Sequence, residues 1–139
     1  MTTLNPYLGF RDQAREALDY YQSVFGGTIT RSTFGDFQAS EDPAEVDKIM
    51  HSQLTTDYGL VLMASDTPAS MDLPPASSIS VSLSGGGDDD AELRGYWGHL
   101  SGDGTVTVPL ENSPWGDAFG MCVDKYGVNW MVNIQGATA

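Results

Sequence analysis

The sequence predicts an α+β fold made of two strand-helix-strand-strand-strand modules. Three observations predict it. Short runs of alternating apolar and polar residues are bounded by Gly, Pro and Asp. Two stretches keep helical apolar spacing, one from Ala14 to Phe25 and one through Leu93, Trp97 and Leu100. The same order of elements occurs on both sides of a Pro- and Ser-rich stretch from Thr67 to Ser77. The expected organisation is one domain over residues 1–139. Its first module spans about 1–66, a linker 67–77, and a second module about 78–139.

In the first module, Leu4 to Phe10 alternates as a strand. Asp12 stands where a residue can cap a helix through Ala14, Ala17, Leu18, Tyr21, Val24 and Phe25, and Gly26-Gly27 ends that helix. Thr28 to Phe34 is rich in β-branched residues and reads as a strand. A loop with a short helix around Pro43 to Lys48 follows. Ile49 to Thr56 and Leu60 to Ala64 then form a hairpin across Asp57-Tyr58-Gly59. In the second module, Ser78 to Leu83 alternates serine with Ile79, Val81 and Leu83. Asp88-Asp89-Asp90 places negative charge where a helix start favours it, and Gly102 closes that helix. Thr105 to Val108, Ala118 to Val123 and Val128 to Ile134 supply the last three strands.

The chain carries 19 acidic against 6 basic residues, a formal net charge of −13. Such a surface repels phosphate backbones and anionic lipid, which argues against nucleic-acid and membrane partners. No apolar run approaches the ~20 residues of a membrane span. Met1 to Pro6 lacks the charged and apolar regions of a signal peptide, so the expected compartment is the cytoplasm. The single Cys122 agrees with a reducing compartment and reads as a small core residue.

Four segments together carry a family resemblance: Pro6-Tyr7-Leu8-Gly9-Phe10, Tyr20-Tyr21-Gln22-Ser23-Val24-Phe25-Gly26-Gly27, Trp115-Gly116-Asp117-Ala118-Phe119-Gly120, and Asp124-Lys125-Tyr126-Gly127-Val128-Asn129-Trp130-Met131-Val132-Asn133. In these the chain resembles the PhnB-like branch of the vicinal oxygen chelate superfamily, which holds glyoxalases, bleomycin-resistance proteins and dioxygenases. The resemblance implies two βαβββ modules forming a glyoxalase-like curved mixed sheet with helices on its convex side. It also implies a homodimer, and the edge strands of two four-stranded modules favour pairing for physical reasons. Metal-using relatives place His, Gln or Glu at four cavity positions. Here the first falls on Asn5, the third on Ser78 and the fourth on Met131, and the Leu60 to Ala64 strand that would hold the other has no His, Asp or Glu. Thioether and neutral hydroxyl are poor donors for a hard or borderline dication, so neither metal nor other cofactor is expected.

Strand alternation selects the cavity-facing side chains. It gives Asn5, Tyr7 and Gly9 on the first strand, Ser78, Ser80 and Ser82 after the linker, and Asn129, Met131 and Asn133 on the last strand. Gln53, Met63 and the loop residue Trp115 complete the expected ligand-binding set. That mixture of aromatic, thioether, amide and hydroxyl groups suits a small organic molecule. His51, on the same face as Gln53, is the candidate catalytic residue, able to orient a ligand or move a proton near neutral pH. Its alternative role is a histidine bonded beside the sheet. Asp117 and Asp124 read as turn residues, His99 as a surface residue, and Gly85-Gly86-Gly87 lacks the Lys and Ser/Thr of a phosphate loop. Some members of the family carry a ubiquinone methyltransferase label, but nothing here resembles a glycine-rich methyl-donor loop after a buried strand. The expected function is metal-free binding of a small organic molecule in the cavity. The alternatives are a metal-dependent or His51-assisted lyase, isomerase or dioxygenase, or a scaffold whose cavity is filled by side chains.

Overall fold

The computed structural model describes residues 2–38, 40–73 and 78–136. It divides into two compact units, Met1–Pro75 and Ala76–Ala139. The boundary falls in the Pro- and Ser-rich stretch, of which residues 74–77 lie outside the described residues.

The first unit comprises strand β1 (Tyr7–Phe10), helix α1 (Ala14–Phe25), and strands β2 (Thr28–Thr33), β3 (Ile49–Thr55) and β4 (Val61–Asp66). Its sheet has the order β1-β4-β3-β2, with β1 and β4 parallel and the other pairs antiparallel. Ala14, Ala17, Leu18 and Tyr21 are the buried stripe of α1. They pack on the sheet face that carries Phe10, Leu54, Leu62 and Ala64. The helix start corrects the expected capping by Asp12. Asp66, at the end of β4, accepts from the Ala14 amide at 2.9 Å and from the Ile49 amide at 2.8 Å. A carboxylate buried to 5 % exposure therefore fastens α1 and β3 to β4. Residues 43–48 form a run of turns rather than a helix, started by Asp42 accepting from the Ala44 amide.

The second unit repeats the order: strand β5 (Val81–Gly85), a 3-10 turn (Gly87–Asp89), helix α2 (Asp90–Gly102), and strands β6 (Thr105–Asn112), β7 (Ala118–Val123) and β8 (Asn129–Ile134). Its sheet order is β5-β8-β7-β6, again with the first pair parallel. Trp130, Val132 and Ile134 alternate inward with Ala118 and Cys122, and Leu93 and Leu100 of α2 are buried. Leu83, Tyr96, Trp97 and Leu110 pack around the cluster of Leu93, Ala118, Val132 and Ile134. The α+β fold class with paired βαβββ modules is therefore as expected. β5 differs in its start: Ser78 to Ser80 stay outside the ladder, which begins with Val81 opposite Trp130. β6 runs four residues further than expected, to Asn112, through two register shifts.

Both hairpins use one turn. In the first, Thr56 and Leu60 close a backbone bond at 2.9 Å, Gly59 adopts φ 83°, and the Thr56 hydroxyl accepts from the Leu60 amide at 3.0 Å. In the second, Asp124 and Val128 close the same bond at 2.9 Å and Gly127 adopts φ 84°. A positive φ at that turn position is cheap only for glycine.

Candidate functional site

With α1 covering one face of the first sheet, the alternate side chains point away from the helix. The register sets Tyr7, Met63, Gln53 and Thr30 side by side across β1, β4, β3 and β2. Gly9 and Ser65 form the next row on β1 and β4, and His51 sits opposite Ser32 between β3 and β2. The Tyr7 hydroxyl lies 3.0 Å from His51 Nδ1, with ring centroids 5.7 Å apart and planes tilted by 39°. Tyr7 thus reaches over β4 to a histidine two strands away. The candidate catalytic His51 and the candidate ligand residues Tyr7, Gln53 and Met63 share one face, as alternation predicts. Tyr7 is 51 % exposed and His51 half-buried. Gln53 Nε2 donates to Thr55 Oγ1 at 2.9 Å on its own strand. Asn5 lies two residues ahead of β1, and its amide donates to Thr3 Oγ1 at 3.1 Å.

The equivalent face of the second unit carries Ser82 and Ser84 of β5, Asn129, Met131 and Asn133 of β8, and Phe119, Met121 and Val123 of β7. Met131 sits directly opposite Met121. Asn133 is tied down: its amide donates to Asp117 Oδ2 at 3.1 Å, while the Gly136 amide donates to Asp117 Oδ1 at 2.9 Å. The Gly136 bond first, and the Asn133 bond second, hold the Asp117 carboxyl below its ordinary value. Asn129 Nδ2 lies 3.5 Å from the Ile79 carbonyl. Trp115 is 64 % exposed in the β6–β7 loop, with its ring 6.0 Å from that of Phe119. Ser78 and Ser80 precede the ladder, and Ser82 and Ser84 take the strand positions beside Met131 and Asn133. Phe119, Met121, Ser65 and Ser84 join the faces without having been singled out. Alternation along Ala118 to Val123 carried the signal for Phe119 and Met121, whereas Ser84 depended on a strand start that the serine spacing misplaces.

These donors do not fit a divalent cation. The first face offers one imidazole among hydroxyl, amide and thioether groups, and the second offers serines, amides and two methionines. Among the described residues no three His, Cys, Asp or Glu side chains converge. An open cleft of about 490 Å³ lies elsewhere in the first unit, on the α1 side, lined by Asp12, Arg15, Glu16, Asp19, Asp47 and Lys48 among others. Both of its cations and one of its carboxylates are engaged. Arg15 donates to the Asp47 carbonyl, Lys48 pairs with Glu45 at 3.3 Å, and Asp19 pairs with Arg31 at 2.6 Å. Cys122 is a buried residue of β7, and desolvation, then the Asp124 charge, pushes its thiol up to about 11, so it is a packing residue. His99 is exposed on α2.

The family model described as 3-demethylubiquinone-9 3-methyltransferase matches residues 2–133. The chain belongs to this PhnB-like family. Protein PA1353 of Pseudomonas aeruginosa is 34% identical, with 99% of this chain and 100% of that chain covered and a TM-score of 0.80. A PhnB protein of Bacillus cereus bearing the same methyltransferase description is 23% identical, covers 96% of this chain and 99% of its own, and superposes with a TM-score of 0.72. Protein YjdN of Escherichia coli K12 is 25% identical over 94% of both chains. Glyoxalase/bleomycin resistance/dioxygenase proteins of Nocardioides and Frankia share the fold of the PhnB-like chain, with TM-scores of 0.59 and 0.63. At 14% and 13% identity the likeness concerns fold alone.

Proposed function

We propose that this PhnB-like protein binds a small organic molecule against its open sheet faces, without a divalent metal. The observation that carries this reading is the chemistry of the first face. A bonded Tyr7–His51 pair stands beside Gln53 and Met63, where a metal-using site would need several anionic or imidazole donors. In this reading Tyr7 and Met63 supply apolar contact on the first face, and Met131 does so on the second. His51 and Gln53 orient polar groups on the first face, and Asn129, with Trp115 in the neighbouring loop, does so on the second. Asn5, Ser78, Ser80 and Asn133 lie at the margins, since each precedes its strand or is already bonded. The two units act as one domain, the protein is a cytoplasmic homodimer, and no nucleic acid or membrane is bound. No helix among the described residues is long and apolar enough to cross a membrane. β6 is an edge strand with Val106 45 % and Val108 38 % exposed, which supports pairing with a second copy.

Screening a fragment library by thermal shift tests the binding reading. A true ligand at 100 times its Kd stabilises the fold by about 2.7 kcal/mol through mass action. NMR shifts should then map to Tyr7, His51, Met63 or Met131. Stoichiometric metal in the purified protein, bound by side chains of these faces, would overturn it. Light scattering that gives a monomer mass at micromolar concentration would remove the homodimer.

A second reading has one observation in its favour. Tyr7 holds His51 by Nδ1, and among the described residues no protein group meets Nε2, which leaves that nitrogen placed for proton transfer as in a lyase or isomerase. Methyl transfer has no such support. The Gly85-Gly86-Gly87 run follows an edge strand, and Asp89 Oδ2 already accepts from the Gly86 amide at 3.2 Å.

A further inference from the structure

The open face of the first unit is free of formal charge, and this narrows what it can hold. The unit contains four cations, Arg11, Arg15, Arg31 and Lys48. Each already has a partner. Arg11 Nη1 donates to the Thr67, Pro68 and Met71 carbonyls at 3.3, 2.8 and 2.9 Å. Arg31 pairs with Asp19 of α1, Arg15 donates to the Asp47 carbonyl, and Lys48 pairs with Glu45. The rows that do face outward, through Tyr7, Gln53, Met63, Ser65 and His51, contain no carboxylate either. A carboxylate or phosphate ligand would meet no uncommitted counterion from these rows and the −13 charge of the whole chain. A cationic ligand would lose water without a paired anion.

The Tyr7–His51 contact adds a direction. Either partner of the 3.0 Å contact can donate, according to the His51 tautomer; with the phenol donating, Nδ1 accepts and the ring proton lies on Nε2. Resting on the reading that this face binds a small molecule, we propose that Tyr7 and His51 form a neutral pair that selects uncharged carbonyl compounds, His51 Nε2–H donating to the carbonyl oxygen while the ligand's flat apolar body lies on Met63. Thioether sulfur favours contact with a ring, which suits Met63 at the centre of the row.

Three probes with one ring and different charge test this: benzamide, benzoate and benzamidine, titrated into the full-length protein at about pH 8, above the ordinary histidine range. NMR follows the His51 ring nitrogens and the Met63 methyl. Benzamide should shift both saturably, with benzoate and benzamidine at least fivefold weaker. Long-range ¹⁵N–¹H correlation should show His51 protonated on Nε2. Tyr7→Phe keeps the half-exposed ring and the fold. It should populate the other tautomer and weaken benzamide about two- to tenfold, the effect of one hydrogen bond. Tighter binding of benzoate or benzamidine at this face, or a wild-type His51 protonated on Nδ1, would overturn the proposal. If benzamide leaves His51 unmoved while another library fragment binds there, the carbonyl selectivity falls and the binding reading stands. If no fragment touches the face, both fall.

Discussion

The two units share topology and register, yet they differ beneath the same hairpin turn and across the same open face. Thr56 begins the first turn and Asp124 the second. The registers pair Leu54 with Leu62 in one and Cys122 with Trp130 in the other, so Leu62 and Trp130 are counterparts. A buried leucine makes no polar demand, and a threonine hydroxyl suffices to hold the turn. A buried indole brings an N–H that must be met. Asp124 meets it at 2.8 Å through Oδ2 while Oδ1 accepts from the Tyr126 and Val128 amides at 2.8 and 3.1 Å. The choice of turn residue is therefore dictated by the strand that follows. On the open faces the counterparts diverge in the other sense: Tyr7 against Ser82, His51 against Phe119, Gln53 against Met121, with Met63 and Met131 alike. Where the first unit places the hydrogen-bonding His51 and Gln53, the second places the apolar Phe119 and Met121.

The turn comparison is most sharply broken by Asp124→Ala, which strands three donors and should cost about 3 kcal/mol in denaturant unfolding. In a Trp130→Phe background, where one of those donors is gone, the same change should cost about 1 kcal/mol less, a coupling that a double-mutant cycle measures. Asp66→Ala removes the acceptor of two buried amides and should cost about 2 kcal/mol. Thr56→Ala, with only the Leu60 amide to lose, should cost about 1 kcal/mol. If the two turn substitutions proved equal, the indole would not explain the difference.

Two smaller effects concern titration. Cys122 stands where the first unit has Leu54, and its thiol is raised from 9.0 to about 11. Its thiolate fraction at pH 8 is then about a hundredfold lower than in the unfolded chain, and alkylation of the native protein should be slow by at least that factor. Because the unfolded thiol ionises first, this contribution to stability is intact below pH 9 and lost as pH rises toward 11, and Cys122→Ala should flatten that alkaline limb. Asp117 has the opposite sign. Its carboxyl is lowered, so its contribution is present above the ordinary carboxylate range and disappears as pH falls through it. Asp117→Asn should shallow the acid limb of Tm against pH, by the smallest margin of the set.

Most of the fold was legible because its signals are local. Alternation located β7 and β8, helical spacing located α1, and Asp-x-x-Gly located the second hairpin. Long-range partners were not legible. Asp12 sits beside the helix start, yet the acceptor for Ala14 comes from Asp66, 52 positions on, because only that carboxylate is buried at the junction. The serine alternation from Ser78 misplaced the start of β5, since the ladder begins where Val81 meets Trp130 and not where the pattern begins. At the candidate site, shared faces followed from period two, so Tyr7, His51, Gln53 and Met63 came out together. The bond between Tyr7 and His51 spans two strand spacings, which no local pattern encodes.

Asp66 also bears on the order in which the first unit assembles. The opening turn of α1 is completed by a side chain that arrives only after residue 66 has been synthesised and its strand has docked. Until then the helix start is left to water, and closing that 52-residue loop is what makes it permanent. Helix entry and strand entry, held by the two oxygens of a single carboxylate, should therefore lock, and release, in the same kinetic step.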